Sequence, residues 1–178
     1  MIEEIKKIDT NFDEAMFLSK VDHIFIMILD AIMERDLSTV KHYLSDDIYN
    51  KFNDMVNSYL DSHKIRLFDE MNVKSTNIDS VNITEEDINI NVTITSRYMD
   101  YFIDEDGNYI SGVNDHRIEL IHKLVFTKKI NAKELKEARR CPNCGNTLDI
   151  NHSGVCPYCN QTIDMSNYDY ILVEITNL

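Results

Sequence analysis

The sequence predicts an α+β fold in which three helices precede three long strands, a cysteine-rich insert and one closing strand. Apolar residues recur at helical spacing in the first third of the chain, and from residue 88 they alternate with polar residues. All four cysteines then lie between residues 141 and 159, ahead of a last apolar stretch at 168–175. The insert therefore falls between the last two strands, where a metal staple takes the place of an unstructured loop.

Composition limits the function classes. Hydrophobic residues make up 43% of the 178 residues, enough for a core, and the net charge is −13. This acidity disfavours nucleic acid and anionic membranes as partners, because both require clustered lysine and arginine. The N-terminus lacks the apolar run of a secretory signal. We therefore expect a reducing compartment, the cytoplasm, with membrane association only indirect, through a partner.

Three helices are expected before residue 65. The longest spans about residues 11–35, where apolar residues keep a helical period after Thr10, a residue type that caps helix starts. A short helix is expected over residues 36–44. Ser45 is expected to cap the third helix, which extends to about residue 63. The apolar stripes of these helices are typical of core packing against a sheet.

The period changes to that of strands after residue 70. Scattered β-branched residues at 73–83 predict a first strand. Strict alternation at 88–94 predicts a second strand with one buried face. Beyond it the apolar positions move to Met99, Tyr101 and Ile103. This change of phase predicts a bulge near Ser96 or Arg97.

A hairpin turn is expected at residues 104–108, followed by strands at 116–128 and 168–175. Asp106 and Gly107 form a typical hairpin-turn pair. The acidic turn is similar to the start of a calcium loop, but Tyr109 stands where that loop requires glycine and no glutamate occupies the twelfth position. The turn is therefore interpreted as structural.

The cysteines form two C-x2-C pairs separated by eleven residues. This spacing predicts one tetrahedral, structural zinc ion between two knuckles, with a closed ligand set that leaves no position for a catalytic water. Gly145 and Asn160 follow the second cysteine of each pair, where a left-handed backbone is expected. A rubredoxin-like iron site or a pair of disulfides remains an alternative, and His152 is expected at an exposed hairpin tip. The predicted ligands are Cys141, Cys144, Cys156 and Cys159.

A basic segment leads into the first knuckle. Residues 128–140 contain six basic and two acidic residues, a net charge of +4. Part of it, residues 132–139, is expected to be helical. The charge favours deprotonated thiolates, or alternatively a docking patch for an acidic partner. The residues of this patch are Lys133, Lys136, Arg139 and Arg140. Nucleic-acid binding through the same face is a third hypothesis, weakened by the acidity of the chain.

The layout resembles a known domain family. The features that carry the resemblance are the strand end Tyr98-Met-Asp-Tyr101, the turn with Gly107 and Gly112, the strand at 119–126 and the CPNCG motif at 141–145. In this arrangement the chain is similar to the bacterial Tim-forty-four-like (Tim44-like) domain family of the nuclear transport factor 2-like, or cystatin-like, fold group. Several members carry a zinc ribbon between the last two strands.

The resemblance implies helices packed on a curved four-stranded antiparallel sheet, a cone that encloses a pocket. It divides the chain into a tail (1–10), the helix-plus-sheet domain (11–130 and 166–178) and the zinc-ribbon insert with its basic lead-in (131–165). It implies a non-enzymatic binding or scaffold domain that engages a protein partner or an apolar ligand, and it supplies no catalytic motif.

An enzyme is the alternative hypothesis, because the same fold group also contains small pocket enzymes. The residues expected to line the pocket are Tyr59, His63, Tyr98, Asp100 and Tyr101. Of these, Tyr98, Asp100 or His63 are the candidate catalytic groups. The chain contains no nucleophile-elbow, phosphate-loop or HExxH pattern. The sequence therefore favours a binding or scaffold role over catalysis.

Overall fold

The computed structural model describes residues 1–133, 140–148 and 155–178. In these residues, helices pack on one face of an antiparallel sheet whose strand order is β1-β2-β3-β4. The elements are α1 (Ile2–Ile8), α2 (Glu14–Glu34), α3 (Asp46–Asp61), β1 (Lys64–Ile83), β2 (Asp87–Asp104), β3 (Tyr109–Lys129) and β4 (Ile171–Ile175), with short 3-10 helices at Lys41–Tyr43 and Met165–Asn167. The predicted α+β class, the antiparallel sheet and the position of the cysteines between the last two strands are confirmed.

The long helix α2 begins three residues later than the sequence predicts. Asp13, rather than Thr10, is the N-cap, and its carboxylate accepts a hydrogen bond from the backbone N–H of Met16 at 2.8 Å. The helix ends where Arg35 adopts a left-handed backbone, with φ of 57°. Its inner face is the centre of the core, with Val21, Ile24, Phe25, Ile28, Leu29 and Ile32 fully buried. In the described part of the chain, α2 and the other helices are too short or too polar to cross a membrane.

Helix α1 lies in the segment that the sequence analysis treated as an N-terminal tail. Ile5 is fully buried, and the backbone N–H of Asp9 donates to the carbonyl of Ile5. Seven residues are two turns, too few for an apolar period to stand out in the sequence. The N-terminal residues therefore belong to the packed body.

The connection between α2 and α3 is less helical than predicted. The Asp36 carboxylate accepts the backbone N–H of Ser38, which closes a turn instead of starting a helix. Only Lys41–Tyr43 are helical in this segment, in the 3-10 form. Helix α3 then starts as predicted, with Ser45 Oγ accepting the N–H of Ile48. It ends at Asp61, just short of the predicted boundary.

The bulge of β2 lies further along the strand than predicted. Buried positions alternate without interruption through Ser96 and Tyr98, and the register against β3 shifts between Tyr98 and Asp100. The sequence prediction was wrong because a serine usually marks a solvent-facing position. Here Ser96 faces the core, where its hydroxyl lies 3.1 Å from Nε2 of His122.

Strand β1 begins directly after α3 and is an edge of the sheet, longer than the predicted strand at 73–83. Its pairing with β2 is interrupted three times, and each interruption contains a charged residue: Glu70, Lys74 and Asp79. Glu70 has φ of 53° and lies near Arg117, Lys74 pairs with Glu119, and Asp79 accepts a hydrogen bond from Thr93. The irregularities are therefore held by side-chain contacts to β2 and, across it, to β3.

Strand β4 closes the sheet and is shorter than predicted. It starts at Ile171 instead of residue 168, because the preceding residues form the 3-10 helix Met165–Asn167. Its register against β3 shifts at Val173, so that Leu172 and Ile175 both reach the main core. The expected alternation of Ile171, Val173 and Ile175 is thus broken by a bulge.

Candidate metal centre

The two cysteine pairs form two knuckles with the same backbone geometry. In the first, the N–H of Cys141 donates to the carbonyl of Asn146, and the N–H of Gly145 donates to that of Cys141. Gly145 has φ of 73° and Asn160, its counterpart, has φ of 58°. The left-handed backbone predicted at these two positions is confirmed. Glycine and asparagine are the residue types that adopt it at low cost.

The knuckles are also an internal sequence repeat, which the sequence analysis missed. Residues 140–148, RCPNCGNTL, align with 155–163, VCPYCNQTI, without a gap. The structure reproduces the repeat: Arg140 bridges Thr147, and Val155 bridges Thr162. Leu148 and Ile163 end the two copies and pack on the buried cysteines. The equal spacing within the two C-x2-C pairs could have revealed this repeat from the sequence.

The four sulfur atoms lie at distances that suit a single metal ion. All four Sγ atoms are within 4.8 Å of one another, with 3.6 Å between Cys141 and Cys159 and 3.7 Å between Cys144 and Cys156. A tetrahedron with metal–sulfur bonds of about 2.3 Å has edges of about 3.8 Å. The cluster can therefore hold a metal ion.

The sulfur environments differ between the inner and outer ligands. Cys141 and Cys156 are buried, whereas Cys144 is exposed and Cys159 is half-buried. Burial raises the pKa of Cys156 to about 11. The backbone N–H of Gln161 lowers the pKa of Cys159 to about 6, with the Asn143 amide acting in the same direction. These hydrogen bonds favour the thiolate form that a metal ligand requires.

The predicted basic patch is only partly within the described residues. Lys133 and Arg140 are exposed. Lys136 and Arg139 lie outside the described residues. The predicted helix at 132–139, beyond residue 133, and His152 also lie outside them. Lys128 and Lys129, which share the basic segment, pair with Asp9 at 2.7 Å and with Asp87 at 3.0 Å. These two lysines therefore form ion pairs within the body of the protein. The basic patch as a whole stays a prediction.

The root of the insert is tied to the N-terminal helices. On the entry side Lys128 pairs with Asp9, and on the exit side Lys20 pairs with Asp169 at 2.6 Å. The Tyr170 hydroxyl lies 3.3 Å from Asp9, and burial, together with the charge of Asp9, raises the pKa of Tyr170. Burial likewise lowers the pKa of Lys20, against the opposing effect of Asp169. Both ends of the insert are thus fixed to the body independently of the cysteines.

A cavity of about 330 Å³ lies beside this root. Its walls come from the connection before α3, from the ends of β3 and β4, and from the segment that leads out of the second knuckle, including Ile163 and Asp164. None of the five predicted pocket residues is among its described lining residues. The cavity therefore belongs to the junction of insert and sheet.

Two of the predicted pocket residues meet through a residue that the sequence analysis did not consider. Arg66 donates two hydrogen bonds to Asp100, at 2.9 and 2.8 Å, and a third to the Tyr59 hydroxyl at 3.3 Å. Burial acts to lower the pKa of Arg66, but the hydrogen bonds and charge of Asp100 outweigh it and raise the pKa. Phe102 packs edge-on against Tyr59. Asp100 is therefore the counter-ion of an arginine.

Tyr98 lies inside the core. Its hydroxyl is 3.3 Å from Nε2 of His122, which also contacts Ser96, and all three residues are buried. Burial raises the pKa of Tyr98 and lowers that of His122. His122 and Leu124 lie on the same face of β3. The alternation of the strand could therefore have predicted that His122 is buried.

The remaining two predicted pocket residues point elsewhere. His63 is exposed at the turn after α3, with Nδ1 at 3.3 Å from a carboxylate oxygen of Glu105. Tyr101 follows Asp100 in the strand and so occupies the opposite face of the sheet, where its hydroxyl donates to Asp69. The structure thus brings Tyr59 and Asp100 together through Arg66, while His63 is exposed and Tyr101 lies on the opposite face of the sheet. The pocket as a whole stays a prediction.

Comparison with known protein families identifies the family of the chain. A family model described as the Tim44-like domain matches residues 1–137, which include the helices and the first three strands and end before the first cysteine. No curated protein matches the chain.

Proposed function

The chain belongs to the Tim44-like domain family, and we propose that it is a non-enzymatic binding or scaffold domain whose partner is another protein. Domains of this family are generally protein-interacting. One observation carries the proposal: the ionisable side chains that an enzyme would use are occupied by partners within the protein. Asp100 is held by Arg66, and Tyr98 is held in the core beside His122. A general acid or base must instead reach the substrate.

We assign the partner surface to the region where the C-terminal end of α3 lies against β1 and β2. Tyr59 and Phe102 form an aromatic rim beside the Arg66–Asp100 pair, and Leu60 is 42% exposed. Aromatic side chains and arginine are the residue types that contribute most to protein interfaces. An apolar ligand is the other occupant that this surface suits.

The partner proposal is tested with two matched surface variants. Cross-linking and affinity capture from the native host are carried out with the wild type, with Leu60→Glu and with Ile121→Glu, an exposed residue on β3. A stoichiometric protein that is retained by the wild type and Ile121→Glu, but lost with Leu60→Glu, supports the proposed surface. Equal capture by all three proteins contradicts it. Native mass spectrometry of the purified protein checks for an apolar small molecule.

An enzyme that uses Tyr98, Asp100 or His63 has less support. Asp100 and Tyr98 have internal partners, and His63 is exposed at the turn after α3. The observation that would favour catalysis is a small molecule that co-purifies and is lost with Asp100→Asn, together with its chemical conversion by the wild type.

We further propose that the metal is zinc and that its role is structural. The Sγ distances and the set of four thiolate ligands support a closed tetrahedral site. Elemental analysis of protein purified without added metal is expected to give one zinc per chain. Stoichiometric iron, or fully oxidised cysteines without metal, would overturn this assignment.

A further inference from the structure

The two faces of the metal site are chemically different. The inner sulfurs, on Cys141 and Cys156, are covered, with exposures of 2% and 0%, by Leu148 and Ile163. Of the outer ligands, Cys144 is exposed and Cys159 is half-buried. Water and chelators can therefore approach a bound ion only from the outer side of the described part of the site.

Each outer sulfur has a side-chain amide beside it. Nδ2 of Asn146 lies 3.5 Å from Sγ of Cys144, and Nδ2 of Asn143 lies 3.6 Å from Sγ of Cys159. Both distances fit N–H···S hydrogen bonds. The bond from Asn143 also crosses from the first knuckle to the second and ties them together on the exposed side.

The sequence repeat shows that these donors are not a general property of the knuckle. The counterpart of Asn143 is Tyr158, which is 66% exposed, and the counterpart of Asn146 is Gln161, whose amide donates to the carbonyl of Thr162. In the described residues both side-chain donors to sulfur therefore come from the first knuckle.

We propose that Asn143 and Asn146 are positioning residues that retain the metal at its exposed face. The inference rests on the proposed metal site. Four thiolates around a divalent ion leave a net charge of −2, and an N–H donor withdraws electron density from the sulfur that it contacts. The two amides thus stabilise the ligands that solvent can reach, and they hinder the opening of that face.

The test compares matched variants of the full chain loaded with cobalt or zinc. Asn143→Ala and Asn146→Ala each remove a donor, Asn143→Asp keeps the shape but removes the N–H, and Gln161→Ala is the control from the second knuckle. The first measurement is the energy of the thiolate-to-cobalt charge-transfer band. The second is the rate of zinc transfer to a colorimetric chelator.

We expect the charge-transfer band of both Asn→Ala variants to move to lower energy, because a thiolate without its donor is easier to oxidise. We expect zinc transfer to become about tenfold faster, the lower range for loss of a residue that orients a ligand. Asn143→Asp should be at least as fast as Asn143→Ala, and Gln161→Ala should match the wild type.

Different outcomes separate the two proposals. A wild type that binds neither ion ends the metal proposal itself. A wild type that binds both, with band energies and rates unchanged in all variants, overturns only the role of the amides. An Asn143→Asp variant that matches the wild type while Asn143→Ala is faster also overturns it, since packing and not the N–H would then be responsible.

Discussion

The body and the insert of this protein are stabilised in different ways. The body buries apolar residues from all three helices and all four strands in one continuous core. The insert has a small cluster of its own, in which Cys141, Leu148 and Cys156 are the buried members of the described part. Its knuckles are short loops whose backbone geometry positions sulfur atoms. Apolar burial therefore defines the body, whereas the insert, on the metal site that we propose, depends on a bound ion.

The largest expected effect comes from metal removal. Structural zinc contributes apparent binding free energies of about 10–16 kcal/mol in small modules. Chelation is expected to unfold the insert and leave the body folded, because Lys128–Asp9 and Lys20–Asp169 hold the root without the metal. Hydrogen exchange followed by mass spectrometry should show rapid exchange in both knuckles and continued protection of β2. Loss of protection throughout β2 would show that the two regions depend on the same interactions.

A large core truncation should give the opposite pattern. Phe25 is fully buried, and Phe25→Ala is expected to lower the free energy of unfolding by about 3–5 kcal/mol in urea titrations. Met16→Ala, on the same helix but 74% exposed, should change it by less than about 0.5 kcal/mol. The cobalt spectrum of the insert should be unchanged in both. A loss of cobalt binding in folded Phe25→Ala would contradict the separation of the two regions.

The Arg66–Asp100 pair tests whether the loss of one mostly buried ion pair strongly destabilises the body. The side chains are 14% and 18% exposed, so Asp100→Asn leaves a mostly buried arginine without its counter-ion. We expect a loss of about 3 kcal/mol in the free energy of unfolding. Glu119→Gln, which breaks the exposed pair with Lys74, should cost less than about 1 kcal/mol. Equal effects of the two changes would mean that burial does not strengthen the inner pair.

The knuckle backbone should show a smaller effect. At Gly145 a Cβ meets no atom within 4 Å, so Gly145→Ala suffers only the strain of its positive φ. That strain is about 1–2 kcal/mol. The zinc dissociation constant, measured by chelator competition, should therefore rise roughly tenfold. Asn160→Gly, at the equivalent position, should bind zinc as tightly as the wild type, and a comparable loss there would refute the backbone explanation.

The smallest effect concerns pH and the core histidine. Burial lowers the pKa of His122 in the folded state, so below its unfolded pKa of about 6.5 the unfolded chain binds more protons. Stability from this residue is complete above that pH and falls as pH decreases, by up to about 1.4 kcal/mol per pH unit. His122→Gln should flatten the decline between pH 6.5 and 5 in urea titrations. A decline between pH 6.5 and 5 that is unchanged in His122→Gln would contradict this assignment.

Sequence reasoning succeeded where the signal is local and repeated. The helical period of α2, the Ser45 cap and the alternation of β2 each depend on neighbouring residues, and the structure confirms them. The cysteine spacing likewise led to a cluster that can hold a metal ion, and to the backbone conformation of Gly145 and Asn160. Such features require no knowledge of which distant segments meet.

It failed where a polar residue has a distant partner. Arg66 and Asp100 are 34 positions apart, and nothing near either one indicates the ion pair. Arg66 lies on the face of β1 that packs against the helices. Because a charged residue occupies this inward position, the start of β1 shows no apolar alternation. Ser96 and His122 are 26 positions apart and contact each other inside the core, so Ser96 is buried where the sequence indicated a bulge. The interior partners of Asp100 and Tyr98 could not be predicted for the same reason, because each lies far away in the sequence.

The interrupted edge of β1 has a consequence for behaviour in a crowded solution. A straight edge of 20 residues would offer a continuous template on which another chain could add a strand. Interruptions at Glu70, Lys74 and Asp79 divide the regular pairing of β1 into segments, the longest of which spans residues 64–69. Bulges of this kind bend an edge strand and so disfavour the addition of another strand.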